Sequence, residues 1–268
     1  MTTFPGADAS FEDADYAIVG APLDVSTTFR PGARFGPDRI RTFARPFDGY
    51  DQRTDQHFSE LVTDAGDVPA WDDAADYLQF LEGQLSDHHD AGRIPIVIGG
   101  EHTVSIAGVH AAEPDIYVCL DAHLDLYEAY AGNEYSHATV TTHALAVAEH
   151  VVLLGVRTGS EKEWNRAAEA DVTVVPPEDV AEWSPTFTDA DNVYLSVDID
   201  AADPGFAPGT GTPAPFGLTP RELREIVRAV APSAVGFDIV EVNDRDDGQA
   251  AALGGKLLQE FVFAHAAR

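Results

Sequence analysis

Three short segments set acids and imidazoles at spacings suited to divalent metal ions: Gly99-Gly100-Glu101-His102, Asp121-Ala122-His123-Leu124-Asp125 and Asp198-Ile199-Asp200. Within Asp121-x-His123-x-Asp125 and Asp198-x-Asp200, alternate side chains share one side of an extended backbone. Singly, such a histidine or Asp-x-Asp pair is ordinarily a cap or a surface residue. Brought together, the four aspartates would repel one another by about 4 kcal/mol for each pair 4 Å apart at an effective dielectric near 20. Cations relieve that repulsion. Two imidazoles and four carboxylates, with no thiolate, suit two divalent ions of the Mn type better than structural zinc, and shared carboxylates hold such ions about 3.5–4 Å apart. Water between them would be acidified to a hydroxide nucleophile.

The elements that must position these segments are legible as short apolar runs. Ile94–Ile98 leads into Glu101-His102, Ile116–Leu120 into Asp121, Val193–Val197 into Asp198, and Val235–Val240 into Glu241. Tyr16–Val19, Val151–Leu154 and Val172–Val175 read as further strands. Helical stretches alternate with them: Ala74–His89, Thr139–Glu149, Glu161–Ala170, the segment opening at Thr219-Pro220-Arg221-Glu222, and Gly254–Ala266. This alternation predicts an α/β fold, three layers α/β/α with a mainly parallel sheet. In such a sheet the carboxyl ends of the strands lie along one edge, where ligands bind. The loops Pro22–Pro37 and Ala201–Leu218, rich in Gly, Pro and Thr, are long enough to be functional. No linker or composition shift divides the 268 residues, so one domain over 1–268 is expected.

Composition narrows the partners. Lys and Arg total 16 against 46 Asp and Glu, a formal net charge of -30. Such a chain repels phosphate backbones and anionic membranes, and a small cationic ligand is the better partner. The excess of acid runs from Asp8 to Glu260 and suggests a halophilic surface, because the Debye length shrinks to about 3 Å in molar salt and self-repulsion is screened. Cys119 is the single cysteine, which excludes an internal disulfide and fits a packed structural thiol. With neither a basic, apolar leader nor an apolar run of membrane-spanning length, a cytoplasmic protein is expected.

The metal-type segments, with Ser196 to Pro204, Pro208-Gly209-Thr210-Gly211-Thr212-Pro213 and Asp238-Ile239-Val240-Glu241-Val242, resemble the signatures of the ureohydrolase family of arginase and agmatinase. Thr27 to Pro37 is similar to the agmatinase branch in particular. The resemblance implies an arginase-like fold and two Mn(II) ions, one held by His102, Asp121, Asp125 and Asp198, the other by Asp121, His123, Asp198 and Asp200. It implies a proton-shuttling role for His137 and a guanidinium-gripping carboxylate at Glu241, with Asn133 and Ser136 as candidate pocket residues. It further implies hydrolysis of a guanidino C–N bond, agmatine to putrescine and urea, and a homo-oligomer, trimer or hexamer. Arginase, guanidinobutyrase, aminopropylagmatine ureohydrolase and formimidoylglutamase activities are the alternatives within that chemistry. Two departures stand out: Ala138 follows His137 where most members have glycine, and Asn243-Asp244 replaces the usual Asn-Pro. Two-metal phosphoester hydrolysis would call for Arg or Lys beside the metal segments, and none adjoins them. A non-catalytic polyamine-binding regulator would ordinarily have lost part of the ligand set, His137 or Glu241, and all are present.

Overall fold

A computed structural model describes residues 2–69, 71–188 and 191–268. In chain order the elements are β1 (Tyr16–Ala21), α1 (Gly36–Phe43), a small hairpin of β2 (Tyr50–Asp51) and β3 (Gln56–His57), α2 (Phe58–Leu61), β4 (Val62–Asp67), α3 (Ala74–Asp90), β5 (Ile94–Gly99) and α4 (Ser105–Ala112). There follow β6 (Ile116–Leu120), α5 (Val140–Ala144), β7 (His150–Leu154), α6 (Glu161–Ala167), β8 (Val172–Val175), β9 (Val193–Asp198), α7 (Pro220–Val230), β10 (Ala234–Val240) and α8 (Gln249–Ala266). Eight of the strands form one sheet in the order β4-β1-β5-β10-β9-β6-β7-β8. Every pairing in it is parallel.

Strand residues alternate between two buried layers, which is why the strands read as unbroken apolar runs. In β6, Val118 and Leu120 join the core beneath α1, α7 and α8, through Ile40, Leu223 and Phe261. Tyr117 and Cys119 point the other way, toward Leu81 of α3, Val109 of α4 and Val140 of α5. The α/β/α sandwich expected from the alternation is therefore present, and its sheet is wholly parallel among the described residues.

Three helices differ from their sequence-based bounds. The 139–149 helix shrinks to α5, Val140–Ala144. α6 stops at Ala167, and Arg166 in its last turn pairs with Asp171 through two bonds of 2.8 Å. α8 begins at Gln249 rather than Gly254, launched from Gly248 at φ 102. α7 starts as its residues predict: Thr219 Oγ1 accepts from Glu222 N–H, and Glu222 Oε2 accepts from Thr219 N–H at 2.8 Å.

Register brings the acid-bearing strand ends level. Leu120 lies beside Val197, which sets Asp121 next to Asp198, while Val240 lies beside Asp198 and Glu241 N–H donates to Gly100 O at 2.8 Å. The chain leaving β1 crosses directly over the end of β5. A Cβ at Gly100 would lie 1.9 Å from Leu23 O, so only glycine lets this loop seat itself against the sheet edge. Its contacts there are Gly100 N–H to Ala21 O and Glu101 N–H to Leu23 O, both 2.7 Å. Among the described residues, no helix is long and apolar enough to cross a membrane.

Candidate metal centre

The carboxyl edge of the four central strands gathers the acids and imidazoles into one buried cluster. His102, from the turn after β5, directs Nδ1 at Asp125 Oδ2 (2.9 Å), Asp121 Oδ2 (3.1 Å) and Asp198 Oδ2 (3.7 Å). His123 directs Nδ1 at Asp200 Oδ2 (3.1 Å) and Asp121 Oδ1 (3.4 Å). Asp121 thus faces both imidazoles, one with each oxygen. Backbone amides hold the acids in place: Ala122 N–H donates to Asp200 (3.1 Å), His123 N–H to Asp121 (2.6 Å) and Asp200 N–H to Asp198 (2.8 Å). Asp125 and Glu241 sit at φ 51 and 61, a left-handed conformation costing of order 1 kcal/mol or more for a residue with a Cβ. The same conformation occurs away from the cluster at Asp55, Glu113, Ala131 and Phe216.

His102 is held from behind as well. Its Nε2 lies 3.2 Å from Ser196 Oγ, which donates to Asp238 Oδ1 at 2.6 Å, and Tyr194 OH donates to Asp238 Oδ2 at 2.9 Å. This Asp238–Ser196 pair anchors the imidazole by its far nitrogen, the usual architecture behind a metal-binding histidine. Cys119 Sγ is also near Nε2, at 3.8 Å. Burial pushes its thiol up to about 11, so it stays protonated at neutral pH and serves as packing.

The cluster is short of positive charge. Burial and repulsion from Asp121 push Asp125 up to about 7, and burial with the charges of Asp200 and Asp121 pushes Asp198 well above the carboxylate range. Burial works against a charge on either imidazole, yet the bound carboxylates raise both, His102 through Asp121 and Asp125, His123 through Asp200 and Asp121. The same two histidines hold Asp121 below the ordinary range, against the effect of burial. Acids that compete in this way for two protons are a donor set matched to hard divalent cations.

Glu241 lies at the edge of the cluster, 5% exposed, its Oε1 accepting His102 N–H at 2.8 Å. Burial and the nearby Glu101 push it up to about 8, so at neutral pH it keeps its proton until a cationic group beside Oε2 displaces it. His137 shares a cleft of about 260 Å³ with His123, Tyr127, Tyr130, Thr158 and Thr212. Its Nδ1 is 3.1 Å from Ser26 Oγ, whose own hydrogen goes to Glu101 Oε1 at 2.9 Å. With the hydroxyl hydrogen committed to Glu101, Nδ1 must be the donor to Ser26, and Nε2 of neutral His137 is left with its lone pair. Burial lowers the His137 pKa, with Glu101 opposing.

Asn133 and Ser136 lie in the segment just before His137. The Asn133 carboxamide bonds the backbone of Tyr135 at 2.7 and 3.0 Å, and Ser136 caps the turn at His137–Thr139. Neither lines the cleft. Ser26, Thr28, Tyr127, Tyr130, Thr158, Thr212, Ser196 and Asp238 enter the site or its support without having been singled out. They are ordinary residue types in loops or strands, and only tertiary pairing shows their place.

A family model for the arginase family matches residues 14–264, and this chain belongs to that family. An agmatinase of Bacillus anthracis is 36% identical over 94% of this chain and 92% of its own length. An N(1)-aminopropylagmatine ureohydrolase of Thermococcus kodakarensis is 35% identical over 92% of this chain and 89% of its own. The crystal structure of the agmatine ureohydrolase of Thermoplasma volcanium superposes with a TM-score of 0.91 at 31% identity, covering 100% of this chain and 95% of that one. The fold and the ureohydrolase relationship thus follow from independent comparisons.

Proposed function

We propose that this chain is an agmatinase-type ureohydrolase that converts agmatine and water to putrescine and urea at a pair of Mn(II) ions in the cytoplasm, as a homo-oligomer. The observation that carries the metal centre is the buried convergence of His102 and His123 on shared aspartates. One ion would take His102, Asp121, Asp125 and Asp198, and the other Asp121, His123, Asp198 and Asp200. Two such ions lower the pKa of water enough to furnish a nucleophile at neutral pH.

Glu241 grips the substrate. A guanidinium is always charged and presents a planar fork of N–H donors, which the free Oε2 of Glu241 can orient toward the aspartates. In the balanced reaction the water oxygen becomes the urea oxygen, the C–N bond to the alkyl nitrogen breaks, and both hydrogens of the water end on that nitrogen as an ammonium. His137 is placed to carry a proton on this route. Its Nε2 takes one and returns it to the departing nitrogen, while Ser26 and Glu101 keep the ring oriented.

The amine-tailed substrate is favoured by what lines the cleft: among the described residues no Lys or Arg is there to receive a carboxylate. Arg157, in the neighbouring wall, already donates to the carbonyls of Gly155, Asp200 and Ala214 at 2.7–2.9 Å. The test is urea release from agmatine, arginine and guanidinobutyrate by manganese-loaded protein in molar salt. Urea from agmatine alone is expected. Release from arginine at equal kcat/KM would overturn the substrate assignment, and no release from any of the three by the loaded protein would overturn the reaction.

A further inference from the structure

Helices α7 and α8 lie side by side and leave between them a groove of about 560 Å³ that shares no lining residue with the cleft beside His137. Its floor is apolar, from Phe47, Leu253 and Leu257, and its rim carries Arg221, Arg224 and Lys256 together with Glu260, whose carboxylate is engaged by Arg228. In a chain with 16 basic against 46 acidic residues, three cations around one groove reverse the local charge.

These cations are not matched by the acids nearby. Arg221, Arg224 and Arg228 follow one another at three and four residues, so one face of α7 delivers all three. Only Arg228 is paired, to Glu260 at 2.7 Å. Glu222 folds back onto Thr219 N–H and Oγ1, both at 2.8 Å. Lys256 Nζ meets only a neutral acceptor, Gln259 Oε1 at 2.9 Å, and stands 4.5 Å from the centre of the Phe47 ring. Arg221 and Arg224 enter no ion pair among the described residues. Arg224 Nε is shielded from solvent and has no acceptor.

We propose that this groove binds a small organic anion. Its carboxylate or phosphate head is held by the guanidinium forks of Arg221 and Arg224 with Lys256 beside them, and its aliphatic or aryl body lies against Phe47, Leu253 and Leu257. Guanidinium takes such a head bidentately, and an apolar floor under a charged rim selects a ligand that is both. The chain's overall negative charge works against any anion at long range, so recognition rests on these short contacts, which salt weakens at exposed Arg221 and Lys256 and less at half-buried Arg224.

Calorimetric titration of octanoate into the full-length, manganese-loaded protein at fixed KCl tests the proposal, with octyl phosphate in parallel to identify the preferred head. Saturable 1:1 binding is expected. Acetate, the head alone, and 1-octanol, the body alone, should bind at least tenfold more weakly. The Arg221→Gln/Arg224→Gln double variant should weaken octanoate at least tenfold, and Lys256→Gln, an exposed single change, about threefold. Urea release should be unchanged in both. Failure of octanoate and octyl phosphate to bind, equal binding of 1-octanol, or parental affinity in either variant overturns the site.

Discussion

Replacing Glu241 by glutamine separates gripping the substrate from holding the metals. The amide keeps the shape of the side chain, and its carbonyl can still accept the His102 N–H that Glu241 accepts at 2.8 Å. The backbone is pinned independently by Glu241 N–H to Gly100 O, at 2.8 Å. What disappears is the charge opposite the guanidinium. Removing one partner of a buried, hydrogen-bonded ion pair costs about 3–5 kcal/mol. At about 1.4 kcal/mol per decade this predicts a fall in kcat/KM of about 10²- to 10⁴-fold. Steady-state urea release from agmatine measures it, with manganese content per chain and melting temperature followed on the same preparations. Metal content and melting should not move. Parental kcat/KM in Glu241→Gln, or loss of manganese in step with the rate, would refute the reasoning, the second outcome by transferring Glu241 to the metal centre.

Asp198→Asn should lose manganese and activity together, because Asp198 is assigned to both ions; elemental analysis after gel filtration, beside the rate, checks it. Ser26→Ala breaks the link from Glu101 to His137 and should lower kcat by about tenfold with KM for agmatine unchanged, a split that Glu241→Gln should not show. His265 reports on pH. Its Nδ1 takes the Tyr16 hydroxyl at 2.6 Å, and burial pushes its pKa from 6.5 down to about 4. The unfolded chain then binds the proton more readily than the folded one. Stability is full above about pH 6.5 and declines as the pH falls toward 4, by up to about 3 kcal/mol from this group. Denaturant unfolding at pH 7 and pH 4 should show a smaller decline in His265→Gln than in the parent.

The centre of the sheet was legible because β5, β6, β9 and β10 are buried on both faces and leave mostly apolar runs, interrupted by Ser196 in β9 and Asp238 in β10, each leading to its functional residue. β4 left no such run. As an edge strand, Val62–Asp67 carries acids, and Asp64 and Asp67 both pair with Arg41 of α1. α4 escaped for the opposite reason: Ser105–Ala112 is buried nearly all round and shows no polar face to mark a period. His102, Asp121, His123, Asp125, Asp198 and Asp200 could be picked out because their spacing is local. Ser26 could not, since it meets His137 across 111 residues, and although Asp238 and Ser196 lie in the signature segments, their pairing across 42 residues left no local trace. Spacing within one strand survives in a sequence, whereas a partner brought by the fold leaves no periodicity.

The strand order also dictates when the centre can exist during synthesis. β10, made after every other strand, lies in the middle of the sheet, with β5 on one side and β9 on the other. Until it inserts, no ladder joins the block β4-β1-β5, which carries His102, to the block β9-β6-β7-β8, which carries the aspartates and His123. A chain without β10 would leave β5 and β9 as open edges, the condition that invites mispairing and chaperone capture. Released chains ending at Ser233 should retain no manganese on gel filtration, and the full chain should retain it. Metal retention would then report that the final strand has closed the sheet.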